Sequence, residues 1–212
     1  MKIYGDTNSG NCLKVKWVCD HLALPYTWIA VDTLKGETRT AEFLKLNGAG
    51  QVPAIELDDG RTLAQSNAII RYLAAGSSLL PADPFQQAKI DELLFWEQYS
   101  HEPYVAVARF ICGWTPLDSP RRADLPSLRQ RAHAALVVME RHLATQSWFT
   151  GERYGIADIA LFAYTDVAEH GGVSLEGYPA IRDWLARIRA TPGFVALPEL
   201  EPDVRARVEA ST

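Results

Sequence analysis

The stretch that decides the fold is Val52-Pro53-Ala54-Ile55, in which a proline opens a short apolar run. Turn-forming residues flank it at 47–51 and 58–60. Proline lacks a backbone N–H and fixes φ, so it is tolerated at the first residue of a strand or in a tight turn. In the cis form it would leave the N–H and C=O of Val52 free to pair with a ligand's main chain. We predict a peptide-binding edge here, with a tight turn that binds nothing as the alternative.

The residues around this strand alternate between strand and helix patterns. We predict strands at 2–5, 26–31, 53–57 and 61–64, and helices at 10–22 and 42–46 and from 65 to about 73. The order is strand, helix, strand, helix, strand, strand, helix. One crossover pair and one hairpin give a mixed four-stranded sheet.

The remainder of the chain has helical patterns only. We predict a long helix at 85–112 kinked by Pro103, a loop at 113–126, helices at 127–144, 155–169 and 178–190, and a polar, fraying end from Pro198. The predicted domains are an α/β domain at 1–76, a linker at 77–84 and an all-helical domain at 85–212.

Composition narrows the class of protein. The chain has 212 residues, of which 48% are hydrophobic and 22% charged, with a net charge of −5. This acidic balance disfavours nucleic acid and acidic membranes as partners, and no apolar run is long enough to span a bilayer. The three cysteines, Cys12, Cys19 and Cys112, do not make a disulfide framework, so we expect a cytoplasmic location.

Two predicted helix starts in the first domain are candidate ligand positions. In Ser9-Gly10-Asn11-Cys12, free N–H groups and the helix dipole favour an anion, and the Ser9 hydroxyl can donate to a thiolate. In Gln65-Ser66, Ser66 can offer both its hydroxyl and its N–H to a carboxylate. At either position the serine can instead be only a helix cap.

Other reactive residue types have structural interpretations. Cys12 lies on the apolar stripe of its helix, which favours a packed thiol over a nucleophile, and Cys19 and Cys112 fit the core. The five histidines lack ligand spacing, so no metal is expected. Asp158 lies three residues after Gly155, where a carboxylate suits the start of a helix.

Together these pieces resemble the cytosolic glutathione S-transferase family, bacterial and of a serine type similar to the theta, delta, zeta or nu classes. The resemblance covers nearly the whole chain. It rests on the segments 9–15, 51–54, 65–69 and 155–158. It implies a thioredoxin-like N-terminal domain that binds glutathione as co-substrate and a helical domain that covers a second substrate.

The resemblance also implies roles for individual residues. Ser9 is the catalytic serine, assisted by Asn11, and Pro53 is cis. The glutathione-binding residues it implies are Ser9, Lys35, Gln51, Val52, Pro53, Gln65 and Ser66. Lys35 and Gln51 are the candidates for the glycyl carboxylate. An electrophile pocket is expected between the first loop and the long helix, with walls from Tyr104, Ala108, Phe110, Ile111 and Trp114.

The implied activity is conjugation of the glutathione thiolate to small hydrophobic electrophiles, a detoxification reaction. One rival is glutathione-dependent reduction of peroxides or disulfides, as in nu-like members; another is a binding module of the same fold without catalysis. A homodimer is expected by resemblance, with Arg71, Phe85, Glu92 and Glu97 as plausible contacts.

Overall fold

The structure is a computed structural model that describes residues 1–150, 152–191 and 193–211. The chain divides into two units. One unit comprises Met1–Ala82 together with Thr191–Pro198, and the other comprises Asp83–Ala190 together with Glu199–Thr212. The segment Thr191–Pro198 interrupts the second unit in sequence but belongs to the first unit, where Phe194 packs edge-on against Trp17 at 5.5 Å between ring centroids.

The first unit has the predicted order of strands and helices. Its elements are β1 (Lys2–Gly5), α1 (Gly10–His21), β2 (Thr27–Ala30), α2 (Ala41–Leu46), β3 (Ala54–Glu56), β4 (Thr62–Ala64) and α3 (Ser66–Leu73). The four strands form one sheet in the order β2-β1-β3-β4. β1 and β2 are parallel, whereas β3 is antiparallel to both β1 and β4. This is the mixed, thioredoxin-like sheet expected from the sequence.

The register of this sheet determines which loops meet. Tyr4 pairs with Ala54, and Ala54 pairs with Ala64. The end of β1, the start of β3 and the end of β4 therefore lie side by side at the same end of the sheet. The residues that follow or precede these ends are the loop before α1, the Val52-Pro53 step and the start of α3. Ile3 and Ile55 are fully buried, which fixes the register because a one-residue slip would expose both.

The second unit is helical in its described residues. Its helices are α4 (Pro84–Trp96), α5 (Glu102–Trp114), α6 (Leu125–Leu143), α7 (Ile156–Thr165), α8 (Pro179–Arg189) and α9 (Pro202–Glu209). The predicted long helix is two helices joined by a π-helical turn at Glu97–His101. Pro103 follows this turn at the start of α5, where its missing N–H costs little. A single helix kinked at Pro103 was predicted, whereas the structure has two helices and places the π turn just before that proline.

The end of the chain corrects one expectation. The residues after Pro198 were expected to fray, yet α9 packs Val204 and Val208 onto Ala108, Ile111 and Cys112 of α5. Arg129 holds the last turn in place by donating to the carbonyl oxygen of Ser211 at 2.6 Å. The stretch looked like a tail because most of its residues are polar, and two buried valines at i, i+4 spacing are too short an apolar pattern to stand out.

Within the described residues, no helix combines the length and apolar character that crossing a bilayer requires.

Candidate active site

The Val52-Pro53 peptide bond is cis, as the resemblance implied. Within the described part of the chain, neither the N–H nor the C=O of Val52 takes part in a backbone hydrogen bond. The preceding residue is held in place because the Asn47 side chain donates to the carbonyl oxygen of Gln51 at 2.8 Å. Val52 is half-buried, and the Gln51 side chain is exposed. The strand edge therefore offers one donor and one acceptor in a fixed place.

The start of α1 presents Ser9. Its Oγ accepts a long hydrogen bond from the Cys12 N–H, at 3.4 Å, so Ser9 is the N-cap of the helix. The loop before it is anchored at Asp6, which accepts from the Ser9 N–H at 3.1 Å and from the Thr33 hydroxyl at 2.7 Å. Capping uses a lone pair of Oγ and leaves its hydrogen to donate. The cap and the thiolate donor are thus compatible roles for the same hydroxyl.

Asn11 connects the starts of α1 and α3. Its Oδ1 accepts from the Ser66 hydroxyl at 3.0 Å and from the Lys14 ammonium at 2.8 Å. An amide oxygen is only an acceptor, so the Ser66 hydroxyl hydrogen points to Asn11. The sequence had suggested that this hydroxyl and the N–H of Ser66 would both face a carboxylate. In the structure the N–H groups at the start of α3 are the donors left for that purpose.

Gln65 introduces α3 from an unusual backbone conformation. Its φ is +70°, in a region that residues other than glycine rarely adopt, and its side chain is exposed. Such backbone conformations cluster at ligand-binding sites, where the surrounding structure maintains them. Here the flanking contacts are the β3–β4 pairing at Ala64 and the Ser66–Asn11 bond.

Two cations lie in the segment between β2 and α2. Lys35 is exposed and pairs with Asp32 at 3.0 Å, and the Asp32 carboxylate raises the lysine pKa. Arg39, which the sequence did not single out, donates to the carbonyl oxygen of Ala49 at 3.4 Å. Its guanidinium also lies so close to Gly50, whose φ is +61°, that a Cβ on Gly50 would be 2.5 Å from it. Arg39 therefore lies against the Ala49-Gly50 turn that precedes Gln51, whereas Lys35 pairs with Asp32.

Cys12 is a packed thiol, as the stripe on α1 predicted. It is fully buried, and burial raises the pKa of the thiol to about 11, against the lowering effect of its Ser9 contact. A protonated thiol that is shielded from solvent is a poor nucleophile, so burial and the raised pKa argue against a catalytic role for Cys12. Cys19 and Cys112 are also buried and unpaired. Residues 1–150, 152–191 and 193–211 include no group of three or more His, Cys, Asp or Glu side chains placed to hold a metal ion.

The five residues expected to wall an electrophile pocket divide into two groups. Ala108 and Ile111 are fully buried in the cluster that packs against α9. They are core residues, which corrects the expectation: helical spacing alone cannot separate a pocket face from a core face. Tyr104, Phe110 and Trp114 remain accessible to solvent in part.

A guanidinium lies over each of these three aromatic rings. Arg131 lies 5.4 Å from the ring centroid of Tyr104, Arg121 lies 5.7 Å from that of Phe110, and Arg109 lies 4.6 Å from that of Trp114. The rings of Phe110 and Trp114 also stack on each other, 6.3 Å apart. Exposed arginines therefore face Tyr104 and Phe110, whereas the arginine over Trp114 is buried.

The fold and these contacts define a class: a thioredoxin-like unit with a cis-proline edge beside two helix starts, joined in sequence to an all-helical unit. Comparison with known protein families defines the class of protein more narrowly than the fold does. Residues 8–75 match the glutathione S-transferase N-terminal domain, and residues 97–187 match the glutathione S-transferase C-terminal domain.

Individual relatives agree with the family models. A maleylacetoacetate isomerase of Pseudomonas aeruginosa is 31% identical, with 97% of this chain and 100% of that protein covered. The crystal structure of a glutathione S-transferase from Pseudomonas fluorescens is 47% identical, with a TM-score of 0.91 and coverage of 93% and 98%. A theta-class enzyme from Xanthomonas axonopodis pv. citri, solved with glutathione bound, is 27% identical, with a TM-score of 0.84 and coverage of 93% and 98%. The chain belongs to the glutathione S-transferase family of enzymes.

Proposed function

We propose that this enzyme binds glutathione along the edge of its thioredoxin-like sheet and conjugates the thiolate to small hydrophobic electrophiles. One observation carries the proposal. The sheet register and the Ser66–Asn11 bond bring Ser9, the unpaired main chain of Val52 and the start of α3 to the same edge. These are three separate attachment points for a short peptide that has a thiol in its middle and a carboxylate at each end.

In this proposal Ser9 stabilises the thiolate. Its hydroxyl hydrogen donates to the sulfur, and the positive end of the α1 dipole adds to the effect. Both interactions favour the charged form, so they lower the pKa of the bound thiol from its usual value near 8.5. Thiolate is the nucleophilic form, and a lower pKa raises its fraction at neutral pH. Asn11, the assisting residue that the resemblance implies, contacts Ser66 and Lys14.

The other two points hold the ends of the peptide. Val52 pairs with the cysteinyl main chain, as a strand edge does with an added peptide. Gln65 and the N–H of Ser66 hold the γ-glutamyl carboxylate at the start of α3. For the glycyl carboxylate we favour Arg39, which lies against the turn before Gln51, over Lys35, whose ammonium is paired with Asp32.

The electrophile contacts the accessible aromatic residues of α5. Tyr104, Phe110 and Trp114 offer apolar ring surface to a hydrophobic compound. The relative from Pseudomonas aeruginosa is named for isomerisation of maleylacetoacetate, which makes a glutathione-dependent isomerase the second candidate. Reduction of hydroperoxides remains a prediction from the sequence, based on Asn11.

Ultraviolet absorbance of the glutathione thiolate, measured against pH on the protein, tests the role of Ser9. We expect Ser9→Ala to raise the pKa of the bound thiol by about one unit or more and to lower turnover of a chloronitroaromatic by roughly 10²-fold. Ser78→Ala, at an exposed position, is the matched control. An equal thiol pKa in wild type and Ser9→Ala would exclude Ser9 as the activator. Faster turnover of an organic hydroperoxide than of the chloronitroaromatic would favour the reductase alternative.

We also propose a cytoplasmic homodimer. Phe85, Phe95 and Tyr99 are 73%, 76% and 82% exposed, which is unusual for large aromatic residues. Their exposure on and just after α4 supports an interface there. Glu97, which was expected to contribute, is fully buried and cannot be a surface contact. Sedimentation velocity tests the dimer, and Phe95→Glu should shift the protein to monomer.

A further inference from the structure

A lysine side chain is completely buried beside the proposed thiol site. Lys14 lies on α1 with none of its surface exposed, and its ammonium donates to Oδ1 of Asn11 at 2.8 Å. Buried lysines are rare because removing an ammonium from water is costly unless hydrogen bonds compensate. An apolar residue would fill this place on the core side of a helix at lower cost. The lysine therefore calls for an explanation other than packing.

The ammonium determines how the Asn11 side chain is turned. An ammonium has three donors and no acceptor, so it selects the oxygen end of a neighbouring amide and excludes the nitrogen end. With the oxygen held by Lys14, the Ser66 hydroxyl that also contacts it, at 3.0 Å, has to donate. If the amide turned over, its NH₂ group would face both the ammonium and the hydroxyl, and the hydrogen of Ser66 would be released to another direction.

We propose that Lys14 is a positioning residue for glutathione: through the Asn11 amide it fixes the Ser66 hydroxyl and the start of α3 that receives the γ-glutamyl group. This inference rests on the proposed function, since it concerns the same ligand. Asn11 has two roles in this arrangement. It carries the influence of the lysine from α1 to α3, and its bond to Ser66 holds the two helix starts at the distance that one ligand can bridge.

A purely structural role for Lys14 predicts a different pattern of effects. If the lysine only stabilised the fold, its replacement would weaken the binding of all ligands alike. The effect of the replacement would also add to that of any other substitution. A lysine that acts through Ser66 affects glutathione selectively, and its effect disappears once the Ser66 hydroxyl is absent. A double-mutant cycle separates these patterns.

Calorimetric titration with glutathione, on the full-length protein, is the test. Lys14→Met keeps an unbranched side chain one atom shorter than lysine and removes the charge. We expect it to weaken glutathione binding about tenfold, which is the scale of one lost charge-assisted hydrogen bond. In a Ser66→Ala background we expect the same replacement to change the Kd less than about twofold. In steady-state kinetics, KM for glutathione should rise while KM for the electrophile stays unchanged.

Asn11→Leu provides a second route if Lys14→Met does not fold. It breaks the link between Lys14 and Ser66 and leaves the lysine in place, and the same tenfold loss and the same non-additivity with Ser66→Ala are expected. Additive losses, or equal rises in both KM values, would show a structural role and overturn the inference. If wild type binds glutathione and both variants bind it equally well, the inference alone is wrong. If wild type does not bind glutathione, the proposed function fails first.

Discussion

Replacement of Asp158 should destabilise the helical unit strongly, although this residue is remote in sequence from every proposed ligand contact. Asp158 is fully buried at the start of α7. Its Oδ1 accepts from the N–H of Phe149 at 3.0 Å and from the indole N–H of Trp184 at 3.0 Å. Its Oδ2 accepts from the N–H of Gly155 at 3.1 Å. The carboxylate thus ties the preceding loop and α8 to the first turn of α7.

The magnitude follows from these three donors. Asp158→Ala leaves all of them buried without an acceptor, at about 1–3 kcal/mol each, so we expect roughly 3–6 kcal/mol of lost stability after partial relaxation. Asp158→Asn keeps the oxygen that faces Phe149 and Trp184 and loses the one that faces Gly155. We expect it to cost roughly 1–3 kcal/mol near neutral pH.

The pH dependence gives a second, independent check. Burial raises the pKa of Asp158 from 3.8 to about 6, although its three donors act in the opposite direction. Between these values the unfolded chain has released a proton that the folded chain still binds, so the stability falls as pH rises through this window. The stability lost across this window is roughly 3 kcal/mol, and no further loss from Asp158 follows above its folded-state pKa. Asparagine does not titrate, so the stability advantage of wild type over Asp158→Asn should shrink from pH 4 to pH 7.

Urea denaturation followed by tryptophan fluorescence, at several pH values in this range, measures both effects. Asp183→Asn is the matched control, since that carboxylate is exposed on α8 next to Trp184. We expect the control to change stability by less than about 0.5 kcal/mol. A loss below about 1 kcal/mol for Asp158→Ala would contradict the account of the three buried donors. A pH-independent difference between wild type and Asp158→Asn would contradict the raised pKa.

Three further outcomes are expected. Since burial raises the pKa of Cys12 to about 11, its thiol should resist labelling by a disulfide reagent in the native protein at pH 8, and Cys12→Ala should keep turnover within about twofold. Val208→Ala should lower the stability by about 2 kcal/mol, because α9 packs on α5; an unchanged urea midpoint would show that α9 is a dispensable tail. In calorimetry, Arg39→Ala should weaken glutathione binding about tenfold and Lys35→Ala less than twofold. The reverse order would show that Lys35, and not Arg39, binds the glycyl carboxylate.

The first unit was the more predictable of the two. Alternating strand and helix patterns, the hairpin turn and Pro53 are all local signals, and they reproduced the order of elements with boundaries displaced by a few residues. The helical unit gave weaker signals. α7 was recognised because nearly all its residues are apolar, whereas α9 was missed because only Val204 and Val208 carry its apolar face.

Within the candidate site, the sequence indicated Ser9, the Val52-Pro53 step and Gln65-Ser66, since each has a distinctive residue type at an element boundary. It did not indicate Arg39, because nothing local shows that this arginine lies against Gly50. It also placed Ala108 and Ile111 in a pocket. Their burial depends on α9, which starts about 90 residues later in the chain.

The sequence by itself determined the family, the order of elements and the proposed positions for peptide binding, because these depend on short segments whose chemistry is readable locally. Only the tertiary structure decided how those positions are arranged in space. The sheet register brings the three loops to one end of the sheet, and the Asn11 side chain accepts from the buried Lys14 and from Ser66, which lies 55 residues further along the chain than Asn11. Contacts of this kind depend on the direction of side chains in a packed interior, and residue spacing along a chain does not specify that direction.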